Sequence, residues 1–403
     1  MSALDARLLV AHVVYRFDVG GLENGVVNLV NRLPPERFRH VIVALTEVTD
    51  FRHRILRDDV RYVSLHKLPG HGVRQWPALV RTFRELRPDI VHTRNLAPLE
   101  AMLPAWLAGV PARVHGEHGW DVGDLDGSNR RHRLTRRLYR PFVTHYVALS
   151  RHIQDYLQSS IGVPAGAIAQ IYNGVDTTRY SRAGGTRASI IGSPFNESGA
   201  WLIGTVGRLA AVKNQTGLIQ AAAAASRADS GARERLRLVI VGDGPMMCEL
   251  KEIARAEGMT DRTWFAGSRD DVAQVLAGLD AFALPSLAEG ISNTLLEAMS
   301  TGLPVVATRV GGNTELVTHD VSGMLVPSGD AAALTDAMLG YLTDPAMARR
   351  HGVAARAAVE TRFSLDRMVA DYAALYESVA VRRPAPGRAD PSAAQAIHVR
   401  GNH

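Results

Sequence analysis

Short apolar runs of three to seven residues alternate with helix-period segments along most of this chain, and that alternation restricts the fold more than any other feature. The runs fall at 8–14, 40–45, 61–65, 90–92, 112–117, 145–148 and 169–171, then at 201–206, 236–241, 263–266, 281–284, 304–308 and 323–326. Helical periodicity lies between them, for example at 22–32, 77–86, 246–258, 272–279 and 331–343. Near-continuous apolar strands separated by helices predict parallel sheets covered on both faces.

With 403 residues, the chain is too long for one ordinary core. A stretch rich in Gly and Ser and poor in apolar residues interrupts the alternation at 181–200 and reads as a linker or exposed loop. The expected organisation is therefore α/β, with one Rossmann-like doubly wound domain over 1–180 and a second over 201–362. A last helical segment follows at 363–382, and 383–403 is a small, polar, Pro-containing tail with the composition of disorder. No internal repeat is visible.

Hydrophobic residues make up 46% and charged residues 21%, ordinary for a soluble globular protein, and no run of 18 apolar residues occurs. The first residues lack the basic and apolar segments of a signal peptide, and the single cysteine, Cys248, excludes an internal disulfide; a reducing cytoplasm is the expected location. The net charge of +6 is partly local. Residues 129–140 carry six arginines, with Leu134 and Leu138 on one helical face. Such a helix suits an anionic membrane surface or an acidic partner, and equally a solvated face. No recognition-helix, zinc or aromatic-basic pattern points to nucleic acid.

The most informative segment is Glu289-Gly-Ile-Ser-Asn-Thr-Leu-Leu-Glu297. A strand-like run precedes it and a helix-like run follows. The segment thus reads as a loop and the first turn of a helix, where free N–H groups and the dipole favour an anion. Amides at Gly290, Ile291, Ser292 and Asn293 suit a diphosphate; the carboxylates of Glu289 and Glu297 suit sugar and ribose hydroxyls. Two glutamates eight positions apart are also common on surface helices, and it is the strand, glycine and helix around them that favour a site.

Other loops after apolar runs carry candidate groups. Gly207-Arg208 and Lys213 place two cations at the carboxyl end of a strand, where doubly wound folds bind ligands. Gly242-Asp-Gly244 follows another strand, but Met247 breaks the dinucleotide fingerprint, so the pair reads as a tight turn that also lines a nucleotide site. Gly20 and Gly21 permit close backbone approach before the first helix. In His115-Gly-Glu-His118-Gly, His118 stands at a strand end and suits hydrogen bonding or proton exchange with a sugar hydroxyl. The zinc spacing His-Glu-x-x-His is absent. Asp121–Asp126 misses the EF-hand register, and Asp124-Leu-Asp126 is too short a match to assign a metal.

Taken together and in order, Gly20-Gly-Leu-Glu23, His118-Gly119, Asn173-Gly-Val-Asp176, Gly207-Arg-Leu-x3-Lys213-Asn, Gly242-x-Gly-Pro245, Glu289-x7-Glu297 and Gly302-x-Pro-Val-Val-Ala307 resemble the family 4 glycosyltransferases of two-Rossmann-domain (GT-B) architecture. More narrowly, the chain is similar to sugar transferases associated with bacterial exosortase/PEP-CTERM exopolysaccharide loci. The resemblance implies transfer from a UDP- or GDP-linked sugar with retention of configuration and without metal or other cofactor. It implies Arg208 and Lys213 on the diphosphate, Glu297 on the ribose, and Glu289 and His118 on the transferred sugar. Gly20 and Gly21 would approach the phosphate, and the last helix would cross back to the first, acceptor-side domain. A saccharide or lipid-linked acceptor follows, with peripheral membrane contact through 130–140. A sugar-nucleotide epimerase of the same architecture, or a non-catalytic nucleotide-sugar binder, are the alternatives.

Overall fold

The computed structural model describes residues 5–68, 72–119, 124, 127–182 and 187–380. Asp121, Asp126 and the tail at 383–403 lie outside the described residues. Two wholly parallel sheets make up the chain. The first has the order β3-β2-β1-β4-β5-β6-β7: β1 Leu8–Val14, β2 Phe38–Ala44, β3 Arg61–Ser64, β4 Ile90–Arg94, β5 Ala112–Glu117, β6 His145–Ala148 and β7 Ile168–Gln170. The second has the order β10-β9-β8-β11-β12-β13: β8 Trp201–Val206, β9 Leu236–Val241, β10 Thr263–Gly267, β11 Ala281–Leu284, β12 Val305–Thr308 and β13 Met324–Val326. Each order reverses beside its first strand, so each sheet has a switch-point crevice at its carboxyl edge. The chain is thus an α/β protein of two Rossmann-like doubly wound domains, the GT-B fold.

Both faces of each sheet are covered, and the strands are correspondingly apolar. Six of the seven residues of β1 are buried, and β9 is buried at all but one position. Strand β4 extends past the expected 90–92 to Arg94. Thr93 and Arg94 are polar yet almost fully buried, because their partners lie inside the protein and they pair along β5 as the preceding residues do. Strand β2 starts two residues earlier than its apolar run, since Phe38 and Arg39 pair with Leu8 and Leu9.

The break near 181–200 is not uniformly exposed. Ile190 and Phe195 are buried with Val239, Leu279 and Phe282 of the second sheet region, and Arg187 pairs with Asp280 at 2.9 Å. The helix Leu365–Val379, capped by Ser364, packs Leu365, Met368, Tyr372 and Tyr376 against Val10, Phe38, Ile90 and Val114 of the first sheet. Three further links join the halves. Val175 and residues 363–365 exchange main-chain hydrogen bonds. Asn173 Nδ2 donates to Asn293 Oδ1 at 2.8 Å. The Glu315 carboxylate accepts from the amides of Arg151 and His152 and from the Tyr172 hydroxyl, capping a first-domain helix from the second domain.

Candidate functional site

The loop after β11 carries Glu289, and its conformation is set from a distant part of the chain. Gly311 has φ +46°, and a Cβ there would stand 1.8 Å from the Glu289 carbonyl oxygen. Gly312 donates its N–H to the Gly290 carbonyl at 2.9 Å. Only glycine allows this approach. Lys213 Nζ and Ser286 Oγ each donate to Glu289 Oε1 at 2.6 Å, and the Glu289 side chain is 8% exposed. The carboxylate is thereby fixed and its charge matched.

Helix Asn293–Ser300 begins immediately after this loop. Ser292 Oγ accepts from the Leu295 amide, so that hydroxyl is engaged in capping, and the Ile291 side chain is buried in the core. The main chain at 290–293 is what remains to meet a ligand. Gly290 faces the first domain closely: a Cβ on it would lie 3.1 Å from the Gly119 Cα and 3.3 Å from the His118 carbonyl oxygen. Gly21 stands opposite Asn293 in the same way, with the Asn293 amide 3.5 Å from its would-be Cβ. The helix Gly21–Arg32 has no side-chain cap, and Gly20 precedes it in extended conformation. Two helix N-termini therefore converge on one gap between the domains.

His118 closes the gap from the β5 end. Its amide donates to Asn95 Oδ1 at 2.8 Å, and its Nε2 is buried without a hydrogen-bond partner. Burial, then the Arg94 charge, lowers its pKa to about 3. His118 is therefore neutral at ordinary pH and offers a hydrogen bond rather than a mobile proton. A cavity of about 260 Å³ lies here, lined in part by Gly21, Arg94, Asn95, His118, Ile291 and Asn293.

Glu297 sits about one turn further along its helix. Burial raises its carboxyl to about 7, against the Tyr180 hydrogen bond and the Arg179 charge, which lower it. Arg208 is exposed and takes part in no ion pair among the described residues. Gly242 and Gly244 lie beneath its loop, where a Cβ would stand 2.0 Å from the Gly207 carbonyl oxygen and 2.3 Å from the Leu209 carbonyl oxygen. Main-chain hydrogen bonds of 2.9 and 3.0 Å link Gly207 to Val241 and Leu209 to Asp243. These two glycines thus support the turn that presents Arg208. Among the described residues no group of three or more His, Cys, Asp or Glu is placed to hold a metal, and no helix is long and apolar enough to cross a membrane.

Gly21, His118, Ile291 and Asn293 thus line one cavity, while Lys213 and Glu289 form a pair beside it. Sequence reasoning did not find Ser286, Tyr180, Arg94, Gly311 or Gly312. Only Gly311-Gly312 carries a visible signal, a glycine pair after an apolar run.

Residues 200–344 match the model of "Glycosyl transferases group 1", and residues 19–179 match "Glycosyltransferase Family 4". A 2-deoxystreptamine N-acetyl-D-glucosaminyltransferase of Streptomyces fradiae is 32% identical over 384 residues, covering 85% of this chain and 86% of the relative. A UDP-Gal:alpha-D-GlcNAc-diphosphoundecaprenol alpha-1,3-galactosyltransferase of Escherichia coli is 27% identical over 361 residues, covering 85% and 90%. Among solved structures, Anabaena Alr3699/HepE in complex with UDP and glucose superposes with a TM-score of 0.76 at 22% identity, covering 92% of this chain and all of that one.

Proposed function

The chain belongs to the family 4 glycosyltransferases of GT-B fold, and from that premise we propose that it transfers a sugar from a UDP- or GDP-linked donor with retention of configuration and without a metal. The observation that carries this reading is the fixed Lys213–Glu289 pair at the edge of a gap where two helix N-termini meet. Such a gap attracts a diphosphate, and Lys213 with the free Arg208 supplies positive charge where a metal would otherwise be needed. Glu289 and the neutral His118 supply hydrogen-bonding groups for sugar hydroxyls, and Glu297 supplies one for the ribose.

The acceptor in this reading is a saccharide or a lipid-linked saccharide of exopolysaccharide or cell-envelope glycan synthesis, as in the exosortase-associated transferases the sequence resembles. The helix Arg130–Tyr139 supports it. Leu134 and Leu138 are 68% and 66% exposed among arginines, while Arg136 turns inward to Glu117 at 2.6 Å. Trp106, 50% exposed, lies on a helix of the same domain and supplies a second apolar side chain of the kind that seats at a membrane surface. Product stereochemistry tests the mechanism: NMR of the product should show the anomeric configuration of the donor, and inversion would rule the mechanism out.

A further inference from the structure

Arg94 stands at the end of β4, 3% exposed, and lines the interdomain cavity beside Asn95 and His118. Among the described residues it enters no ion pair. Buried arginines ordinarily pair with a carboxylate, because an uncompensated buried charge is costly. Here the partners are neutral. Arg94 Nη1 donates to His12 Nδ1 and Nη2 to His92 Nδ1, both at 3.2 Å, and the Tyr376 hydroxyl is 2.7 Å from the same His92 nitrogen. His12 Nε2 in turn lies 3.0 Å from His40 Nδ1. Burial, and then the Arg94 charge, hold His12 and His92 well below the ordinary imidazole range, so this cluster adds no positive charge and supplies no negative one.

Glu23, in the first turn of the helix Gly21–Arg32, senses the Arg94 charge but is beyond ion-pair distance; burial raises its carboxyl, and the Arg94 charge lowers it. The N-terminus of Gly21–Arg32 and that of Asn293–Ser300, the second capped by Ser292, point their dipoles at the same cavity. The Nε2 atoms of His118 and His92 are buried and unpartnered, and both converge over Gly116, 2.6 and 3.3 Å from where its Cβ would be. The cavity is therefore lined by a buried guanidinium without an ion-pair partner and by His118, whose Nε2 has no hydrogen-bond partner. Its lining also includes the apolar side chains of Leu22, Leu29 and Met368 and the ring of Tyr372.

We propose that Arg94 is a specificity-determining residue that binds an oxyanion, a carboxylate or phosphate, carried by one of the two substrates in addition to the donor diphosphate. The inference rests on the transferase reading above. A guanidinium held in place by His12 and His92 presents its remaining N–H groups in a fixed plane, the geometry that matches carboxylate and phosphate oxygens. The anion has two possible carriers, a uronic-acid donor sugar or a phosphorylated acceptor.

Equilibrium binding to the full chain separates them. UDP and GDP alone are measured first, on wild type, Arg94→Gln and Arg94→Lys. The donor arm then compares UDP-glucuronate with UDP-glucose, or GDP-mannuronate with GDP-mannose if the protein binds GDP. The acceptor arm adds inorganic phosphate to the complex with the nucleoside diphosphate, against chloride. The expected result is an anion preference of about 10- to 100-fold in one arm. Arg94→Gln should abolish it, and Arg94→Lys, which keeps a cation in the buried site if the glutamine variant does not fold, should reduce it. Nucleoside diphosphate affinity should be unchanged in both variants. Preference in the donor arm assigns the anion to the sugar, and preference in the acceptor arm assigns it to the acceptor. No preference in either arm, or a preference that survives in Arg94→Gln, overturns the proposal. So does equal weakening of the nucleoside diphosphate itself, which would make Arg94 a diphosphate contact. Failure of the wild type to bind any nucleoside diphosphate would instead strike the transferase reading.

Discussion

Lys213 Nζ lies 2.6 Å from Glu289 Oε1, although the two residues are 76 positions apart and come from the loops after different strands. The pair joins the cation proposed for the leaving diphosphate to the carboxylate proposed for the sugar. Removing either partner leaves the other uncompensated at a partly buried site. Lys213→Ala should therefore lower kcat by about 10²- to 10³-fold, the scale of losing one charge-stabilising group. Steady-state kinetics with Glu289→Gln as the companion variant check this, and a loss confined to KM would contradict it.

Gly311 is the conformational support of Glu289. Alanine there must adopt φ +46° and place its Cβ against the Glu289 carbonyl oxygen. Gly311→Ala should destabilise the fold by about 1–3 kcal/mol and reduce turnover, because the loop has to shift. Denaturant unfolding and kinetics on one preparation measure both. Full activity at wild-type stability would show that the loop tolerates the displacement.

The first-domain strands were legible because a parallel strand buried on both faces is a continuous apolar run. β1, β5 and β6 stand where their runs stand. Arg94 was not legible for the converse reason. A strand read by apolarity ends at Val91-His92, and nothing local shows that His92 and Arg94 turn inward to meet Tyr376 and His12, or that Thr93 meets His115. The Glu289 segment was visible as a strand, loop and helix start. Its supports were not, because Gly311, Gly312 and Tyr180 reach it only through the tertiary fold. The loop at 181–200 looked free of structure since its two anchoring residues, Ile190 and Phe195, are too few to form a periodic pattern.

Glu297 gives a pH signature. Its folded pKa, about 7, lies above the ordinary carboxylate value of 4.5. The protonated form is thus favoured in the fold. The associated stability is fully present below about pH 4.5 and is lost as pH rises towards 7, because the unfolded chain ionises first. Ribose hydroxyls donate best to the ionised form, so nucleotide affinity should rise between pH 6 and 8. Calorimetric titration across that range should show the rise in wild type and a flat profile in Glu297→Gln; a rise of equal size in the variant would assign it elsewhere.

Glu315 caps a first-domain helix from the second domain and also accepts from Tyr172. Glu315→Ala should cost about 1–2 kcal/mol, as losing a cap does, and should loosen the juxtaposition of Gly290 and Gly119. The expected readouts are a lower Tm and a larger radius of gyration in small-angle scattering of the unliganded protein. Unchanged scattering would mean that the Asn173–Asn293 and Val175 links suffice.

The exposed face of the helix Arg130–Tyr139 can be altered without touching its inward residue. Reversing the charge of Arg130, Arg131 and Arg133 while keeping Arg136, which holds Glu117, and Arg137, which donates to the Ser160 carbonyl, should abolish co-sedimentation with anionic lipid vesicles and leave the fold intact. Unchanged partitioning would show that this helix does not hold the protein at a membrane.

Donor turnover at this site can be followed directly. Hydrolysis or transfer should be followed across a panel of UDP- and GDP-sugars in the presence of EDTA, for wild type and Lys213→Ala. One preferred donor should be cleaved, undiminished by the chelator, and that cleavage should be lost in the variant. Turnover that requires a divalent metal, or that survives unchanged in Lys213→Ala, would contradict this expectation.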